Sequence, residues 1–295
     1  MNSTIYFIRK AHLPKRNNRG YGYIFDDQNP YELQTYKLKE IEYAIFYDDR
    51  HYCCTNKLSN FIDGYLIPFF FDEVYHYKHI TIYRRAPNIK INGVYKATYN
   101  FIYDIVDPAK WSLNEQGGDI KAILEHNGHK KVVQLFDNNE FESVQMTDWF
   151  NKQGSGTIEL YFESTEIEEQ VSLRLESNSE TGPYICIKSS KFMYYNGNQF
   201  ITICDAQKDT FNHLRIDFEC GNKTYEGLNQ DEFFLYINDI KYGPFIFSED
   251  INTVNRFVIG TSSGFKDNSV YIDAVGYSWK GNYNIGDNKQ EIATG

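Results

Sequence analysis

The sequence predicts an all-β chain whose antiparallel sheets pack face to face as a sandwich or jelly roll. Three observations carry that reading. Aromatic residues make up 17% of the 295 residues, with 25 Tyr and 22 Phe against 3 Met, and flat rings pack well on a pleated, half-buried surface. Apolar and polar residues alternate with a period of two in many short segments. Helical segments of crossover length are missing between them, which excludes a parallel sheet in practice.

Taken in order, residues 1–92 read as a small amino-terminal β-rich domain with strands at 43–47 and 79–84. Hairpin-like pairs stand at Asp48-Asp49 and Asn92-Gly93, and Pro87 with a polar stretch marks a boundary near 84–92. Residues 119–126 fit a strand or a short helix. Further strands fall at 156–163, 171–176, 184–187, 192–195, 200–205, 213–220, 256–260 and 270–278, with Gly, Asn, Ser and Asp in the gaps. Within 213–220, Leu214, Ile216, Phe218 and Cys220 alternate with His213, Arg215, Asp217 and Glu219, so one face meets a core and the other water. Between 233 and 247, two apolar runs flank Asn238 and Asp239, residue types that accept the positive φ of a tight hairpin turn. Residues 93–282 are thus expected to form the sandwich and 283–295 a loosely ordered tail.

Composition narrows the function. Hydrophobic residues at 41% and charged residues at 24% describe a folded domain. A net charge of −10 argues against a nucleic-acid partner, because phosphate neutralisation needs a basic surface. One local exception, Arg9, Lys10, Lys15, Arg16 and Arg19, reads as a solvated loop or as an arm docking on an acidic partner. No membrane span is expected, since the longest apolar stretches, such as 65–71, are of strand length and interrupted by Pro68. Residues 1–20 carry Arg9, Lys10, Pro14 and Lys15 where a signal peptide has its apolar core, so no standard secretion signal is expected. Cys53, Cys54, Cys186, Cys204 and Cys220 lack metal-ligand spacing and read as mostly free, buried thiols.

Four fragments in order resemble the concanavalin A-like (laminin G-like) lectin and glucanase superfamily over residues 96–282. Gly156-Thr157-Ile158-Glu159-Leu160 is similar to its "GT-hydrophobic-E-hydrophobic" strand, and Phe211-Asn212-His213-Leu214-Arg215-Ile216 to its "WHH" strand, with Phe211 and Asn212 replacing the commoner Trp and His. Leu235-Tyr236-Ile237-Asn238-Asp239 is similar to its "Y-hydrophobic-NG" hairpin, and Tyr271-Ile272-Asp273-Ala274-Val275 to its closing strand. The closing segment from Tyr277 to Asn288 also resembles uncharacterised sandwich proteins of archaea and of viruses with AT-rich genomes.

The resemblance implies a jelly-roll sandwich that binds glycans or, in some members, cleaves them with an "E-x-D-x-x-E" carboxylate set. That motif is missing here. Glu159-Leu160-Tyr161-Phe162-Glu163 has Tyr161 where the middle acid stands, although the even spacing puts Glu159 and Glu163 on one strand face. The family's rim calcium implies candidate oxygens at Asp205, Asp209, Asp267 and Asn268, so the cofactor reading is none or Ca2+.

Two His-x-x-His pairs, His76 with His79 and His126 with His129, would need a turn to share a metal, and Asn127-Gly128 supplies one for the second. Cys53-Cys54 beside His51 lacks any spacing that supports a nucleophile. Sugar stacking on exposed rings nominates Tyr194, Tyr195, Asn196, Trp149 and Trp279.

The expected function is a non-catalytic binding or adhesion protein, carbohydrate- or surface-recognising, in a virion or at an extracellular surface. Residues 1–92 would anchor it to other structural proteins in a homo-oligomer or larger assembly. A divergent glycoside hydrolase and a protein–protein interaction module are the alternatives.

Overall fold

A computed structural model gives the fold. It describes the strands within residues 1–91, and residues 92–293 except 102–105, 107–109, 179, 265–266 and 282. The basic cluster after Arg9, the Asp48-Asp49 pair, His51, Cys53, Cys54 and His79 lie outside the described residues. The chain divides into two compact units, Met1–Ile91 with Ile292–Gly295, and Asn92–Glu291.

In the first unit, β1 (Ile5–Arg9), β2 (Tyr43–Tyr47), β3 (Phe71–Tyr77) and β4 (Ile80–Arg85) form a sheet of order β1-β2-β4-β3. Its β1–β2 pair is parallel, with Ile5 opposite Tyr43. This corrects the exclusion of parallel pairing: the 33 or so residues between the two strands are ample for a crossover, which needs only a dozen or more.

The chain then runs through β5 (Lys90–Tyr95), β6 (Trp111–Asn114), β7 (Gly118–His126), β8 (His129–Asp137), β9 (Gln145–Gln153), β10 (Ser155–Ser164), β11 (Val171–Ser177) and β12 (Glu180–Lys188). It continues through β13 (Lys191–Tyr195), β14 (Phe200–Asp205), β15 (Asn212–Glu219), β16 (Glu232–Ile237), β17 (Ile240–Ile246), β18 (Val254–Thr261), β19 (Asn268–Tyr277) and, after a 3-10 turn at Asp287–Lys289, β20 (Glu291–Ala293), which pairs with β5. Two antiparallel seven-stranded sheets result. Sheet A has the order β17-β16-β15-β10-β19-β8-β7, and sheet B the order β14-β13-β12-β11-β18-β9-β6. The chain switches sheets at β6–β7, β8–β9, β9–β10, β10–β11, β14–β15, β17–β18 and β18–β19, as a jelly roll requires. Among the described residues no helix is long and apolar enough to cross a membrane.

The alternation explains the layers. Ile158, Leu160 and Phe162 of β10 and Leu214, Ile216 and Phe218 of β15 point into one core with Leu173, Leu175, Phe257 and Ile259 of sheet B. The intervening residues of each strand therefore face outward. Asn238 and Asp239 adopt φ of 50° and 71°, the two positive values of a type I′ hairpin. Residues 119–126 are strand, and β6, β8 and β9 are strands that the sequence reading left unassigned. Asn92-Gly93 is a correction too: the pair lies inside β5. Gly93 has φ of +82°, and a Cβ there would stand 2.2 Å from the Gly128 carbonyl oxygen, so glycine is needed for close approach rather than for a hairpin.

Residues 283–291, expected to begin a loosely ordered tail, are instead pinned on the outer face of sheet A. Tyr283 is 4% exposed and Asn288 fully buried. The Tyr283 hydroxyl donates to Glu159 Oε2 at 2.7 Å, and the Gly286 N–H donates to the same oxygen at 2.6 Å. His213 Nε2 donates to Asn288 Oδ1 at 2.9 Å. The sequence hid this because Asn, Gly and Asp look like loop chemistry, whereas here they answer buried polar groups on the sheet.

Candidate functional site

The outer faces of the two sheets differ. That of sheet A is polar and largely covered. Besides Glu159 and His213, it holds His129, whose Nδ1 lies 2.9 Å from Asp273 Oδ2 and whose ring packs against Tyr95, Tyr161 and Phe211. Burial pushes the Asp273 carboxyl up to about 6. At one end, His126 stacks on Tyr271 with ring centroids 3.5 Å apart, and its Nε2 lies 2.6 Å from Glu163 Oε1. Asn127 Nδ2 donates to both Glu163 oxygens at 3.0 Å. The turn foreseen at Asn127-Gly128 is present, with φ of 46° and 83°. It sets His126 opposite His129, yet each ring engages a different carboxylate. Among the described residues no three His, Cys, Asp or Glu side chains converge as a metal site.

Glu159 and Glu163 share a strand face, as the spacing indicates. Four residues of strand separate them by roughly 13 Å along the backbone, beyond the roughly 5–9.5 Å between paired glycosidase carboxylates. Tyr283 further seals Glu159.

The outer face of sheet B carries a row of part-exposed side chains. Trp149 on β9 is 52% exposed and lies opposite Arg256 of β18, whose guanidinium carbon stands 5.1 Å from the ring centroid. Arg256 lies opposite Glu176 of β11 and forms an ion pair with it. Arg174 Nε approaches the same carboxylate at 3.3 Å, so Glu176, only 4% exposed, is clamped between two guanidinium groups. Arg174 pairs with Tyr184 of β12, its guanidinium carbon 5.8 Å from that ring. Tyr184 packs against Tyr195 and Phe200 with centroids 5.8 and 5.6 Å away, and Lys188 Nζ sits 5.4 Å over Phe200. Gln170 Nε2 donates to the Tyr184 hydroxyl at 2.6 Å. These side chains come from six neighbouring strands, β9 to β14 in the order of the sheet, and form a band about 24 Å long at ~4.8 Å per strand step. The rings are held by cross-strand neighbours rather than by flexible loops, and the two arginines by a buried carboxylate.

Of the residues nominated from sequence, Trp149 and Tyr195 stand in this band. Tyr194, their neighbour in sequence, points the other way: it is 9% exposed and stacks on Phe245 in the core at 4.3 Å. Asn196 shapes the β13–β14 turn, its Oδ1 accepting from the N–H groups of Asn198 and Gln199. Trp279 is partly buried, stacked on Tyr277 at 4.9 Å and against Phe150 at 5.0 Å. Of the calcium nominees, Asp205 pairs with Lys191, while Asp209 and Asp267 are exposed at positive φ. Asn268 is fully buried and its Oδ1 accepts from Thr165. Arg174, Glu176, Tyr184, Phe200 and Arg256 were missed. Alternation within Val171–Ser177 and Val254–Thr261 could have turned Arg174, Glu176 and Arg256 outward, but nothing local says that these strands are neighbours.

No protein-family model matches the chain, and no curated protein matches it in sequence. Among solved structures, the sandwich is similar to part of a protein described as a sialidase, with a TM-score of 0.53 and 11% identity over 69% of this chain and 20% of that one. The chain therefore spans about a fifth of that sialidase's length. A carbohydrate-binding module of the CBM66 type from Bacillus subtilis is similar with a TM-score of 0.38 and 12% identity over 57% and 94% of the two chains. The Caenorhabditis elegans galectin LEC-6 gives 0.31 and 10% over 49% and 95%. At 11% identity the likeness to the sialidase shows the fold alone, a jelly-roll β-sandwich.

Proposed function

We propose that residues 92–291 form a non-catalytic glycan-binding module whose ligand lies along the Trp149–Phe200 band of sheet B. The observation that carries the reading is Trp149, a half-exposed indole braced by Arg256 at one end of a row of rings. An exposed ring offers an apolar plate to the C–H face of a sugar, while adjacent polar groups take its hydroxyls. The carboxylate spacing on sheet A and the burial of Glu159 support a module that binds without cleaving. The first unit, compact by itself, supplies attachment to a larger assembly at a virion or extracellular surface.

A glycan array probed with the full chain, with and without calcium, tests the proposal. Binding to a defined sugar class is expected, weakened at least about tenfold by Trp149→Ala, a loss of roughly 1.4 kcal/mol. A blank array in both conditions, or binding indifferent to Trp149, would overturn it.

A further inference from the structure

We infer that the glycan held by this band is acidic, carrying carboxylate or sulfate groups; the inference rests on the glycan reading above. Among the described residues, four cations, Arg174, Arg256, Lys188 and Lys191, stand on this face with two carboxylates, Glu176 and Asp205, the second paired with Lys191, on a chain whose net charge is −10. The face thus runs against the average field of the molecule, and a polyanion that the rest of the surface repels finds its complement here.

The inventory of donors and acceptors points the same way. A neutral sugar hydroxyl both donates and accepts, so a site for it needs acceptors. Both carboxylates of this face are engaged: Glu176 is 4% exposed and taken by two guanidinium groups, and Asp205 is paired with Lys191. What remains toward solvent is donor-rich: the arginine side chains are still 27% and 22% exposed. A guanidinium has five N–H groups in a planar fork, and one carboxylate shared between the two, together with the Gln145 Oε1 that accepts from Arg174 Nη2 at 3.3 Å, leaves several unspent. Carboxylate and sulfate are acceptors only and match that fork in two-point geometry. Because Glu176 fixes both guanidinium groups, little side-chain freedom is lost on binding.

The test compares the full chain on polygalacturonate, dextran sulfate, neutral dextran and a single-stranded oligonucleotide, at low and high salt. The carboxylated or the sulfated polymer is expected to bind at least about tenfold more tightly than dextran, with an advantage that shrinks as salt screens the charges. Which of the two wins identifies the anionic group. Arg256→Gln should lower acidic-polymer binding several-fold. Lys188→Gln should do so too, and it leaves the buried Glu176 clamp intact if Arg256→Gln impairs folding. Equal, salt-insensitive and Trp149-dependent binding of neutral and acidic polymers would overturn the charge inference and leave the glycan reading standing. Absence of binding to every polymer would overturn both, and tighter binding of the oligonucleotide would replace the glycan with nucleic acid.

Discussion

Asp148 is a buried carboxylate. It sits on β9 at 1% exposure, and one of its carboxylate oxygens has no hydrogen-bond partner. Burial pushes the carboxyl up to about 6. Because the folded state raises this pKa, the protonated form is favoured by folding. The associated stability is fully present below about pH 4, the ordinary carboxylate value, and is lost as pH rises through about 6. Asp148→Asn should therefore match the parent at pH 4 and exceed it at pH 8 by up to about 3 kcal/mol. Urea denaturation at the two pH values checks this, and an Asn variant that is weaker at pH 8 would contradict it. A second residue-scale expectation concerns Tyr283. Its Phe variant removes one of the two donors to the buried Glu159 oxygen and should cost about 1–3 kcal/mol. Hydrogen exchange should show the loss within residues 283–291. At this scale the sequence shows which residue types are present but not which way they face. Tyr194 and Tyr195 are alike in type, and only their parity relative to buried Phe192 sends one to the core and the other to solvent.

Among elements, the hairpins were the most legible, because their turns impose local chemistry. Asn238-Asp239 and Asn127-Gly128 occupy the positive-φ positions their residue types suit. Two glycines separate turn strain from close packing. A Cβ at Gly128 meets nothing within 4 Å, so Gly128→Ala should cost only the left-handed backbone penalty of about 1–2 kcal/mol. Gly93→Ala would in addition drive its Cβ to 2.2 Å from the Gly128 carbonyl oxygen, so it should destabilise more. Thermal unfolding of the two variants should rank them in that order. Strands such as β9, with the sequence QMTDWFNKQ, were not legible, because Trp149 and Phe150 stand side by side among polar residues and blur the alternation. β1 with β2 was missed for a different reason: parallel pairing joins strands through a long connection that leaves no local signature.

For the molecule as a whole, the sandwich class could be read from the strands, while the band on sheet B could not. Trp149 and Arg256 are more than a hundred residues apart in sequence, and they meet only because β18 leaves sheet A's last hairpin to pair with both β9 and β11. Attachment through the first unit gives an assembly-scale expectation: light scattering of the purified chain should report an oligomer, and a strict monomer would argue against that role. The most direct measurement of the central claim is tryptophan fluorescence during titration with a glycan that the array identifies. Of the three tryptophans, Trp111 is 2% exposed, Trp279 is partly buried against Phe150 and Tyr277, and Trp149 is 52% exposed, so Trp149 is the ring a ligand on sheet B must cover. A saturable shift and protection from an aqueous quencher are expected and should disappear in Trp149→Phe, whereas saturable binding that leaves the Trp149 emission and its quenching unchanged would place the ligand elsewhere.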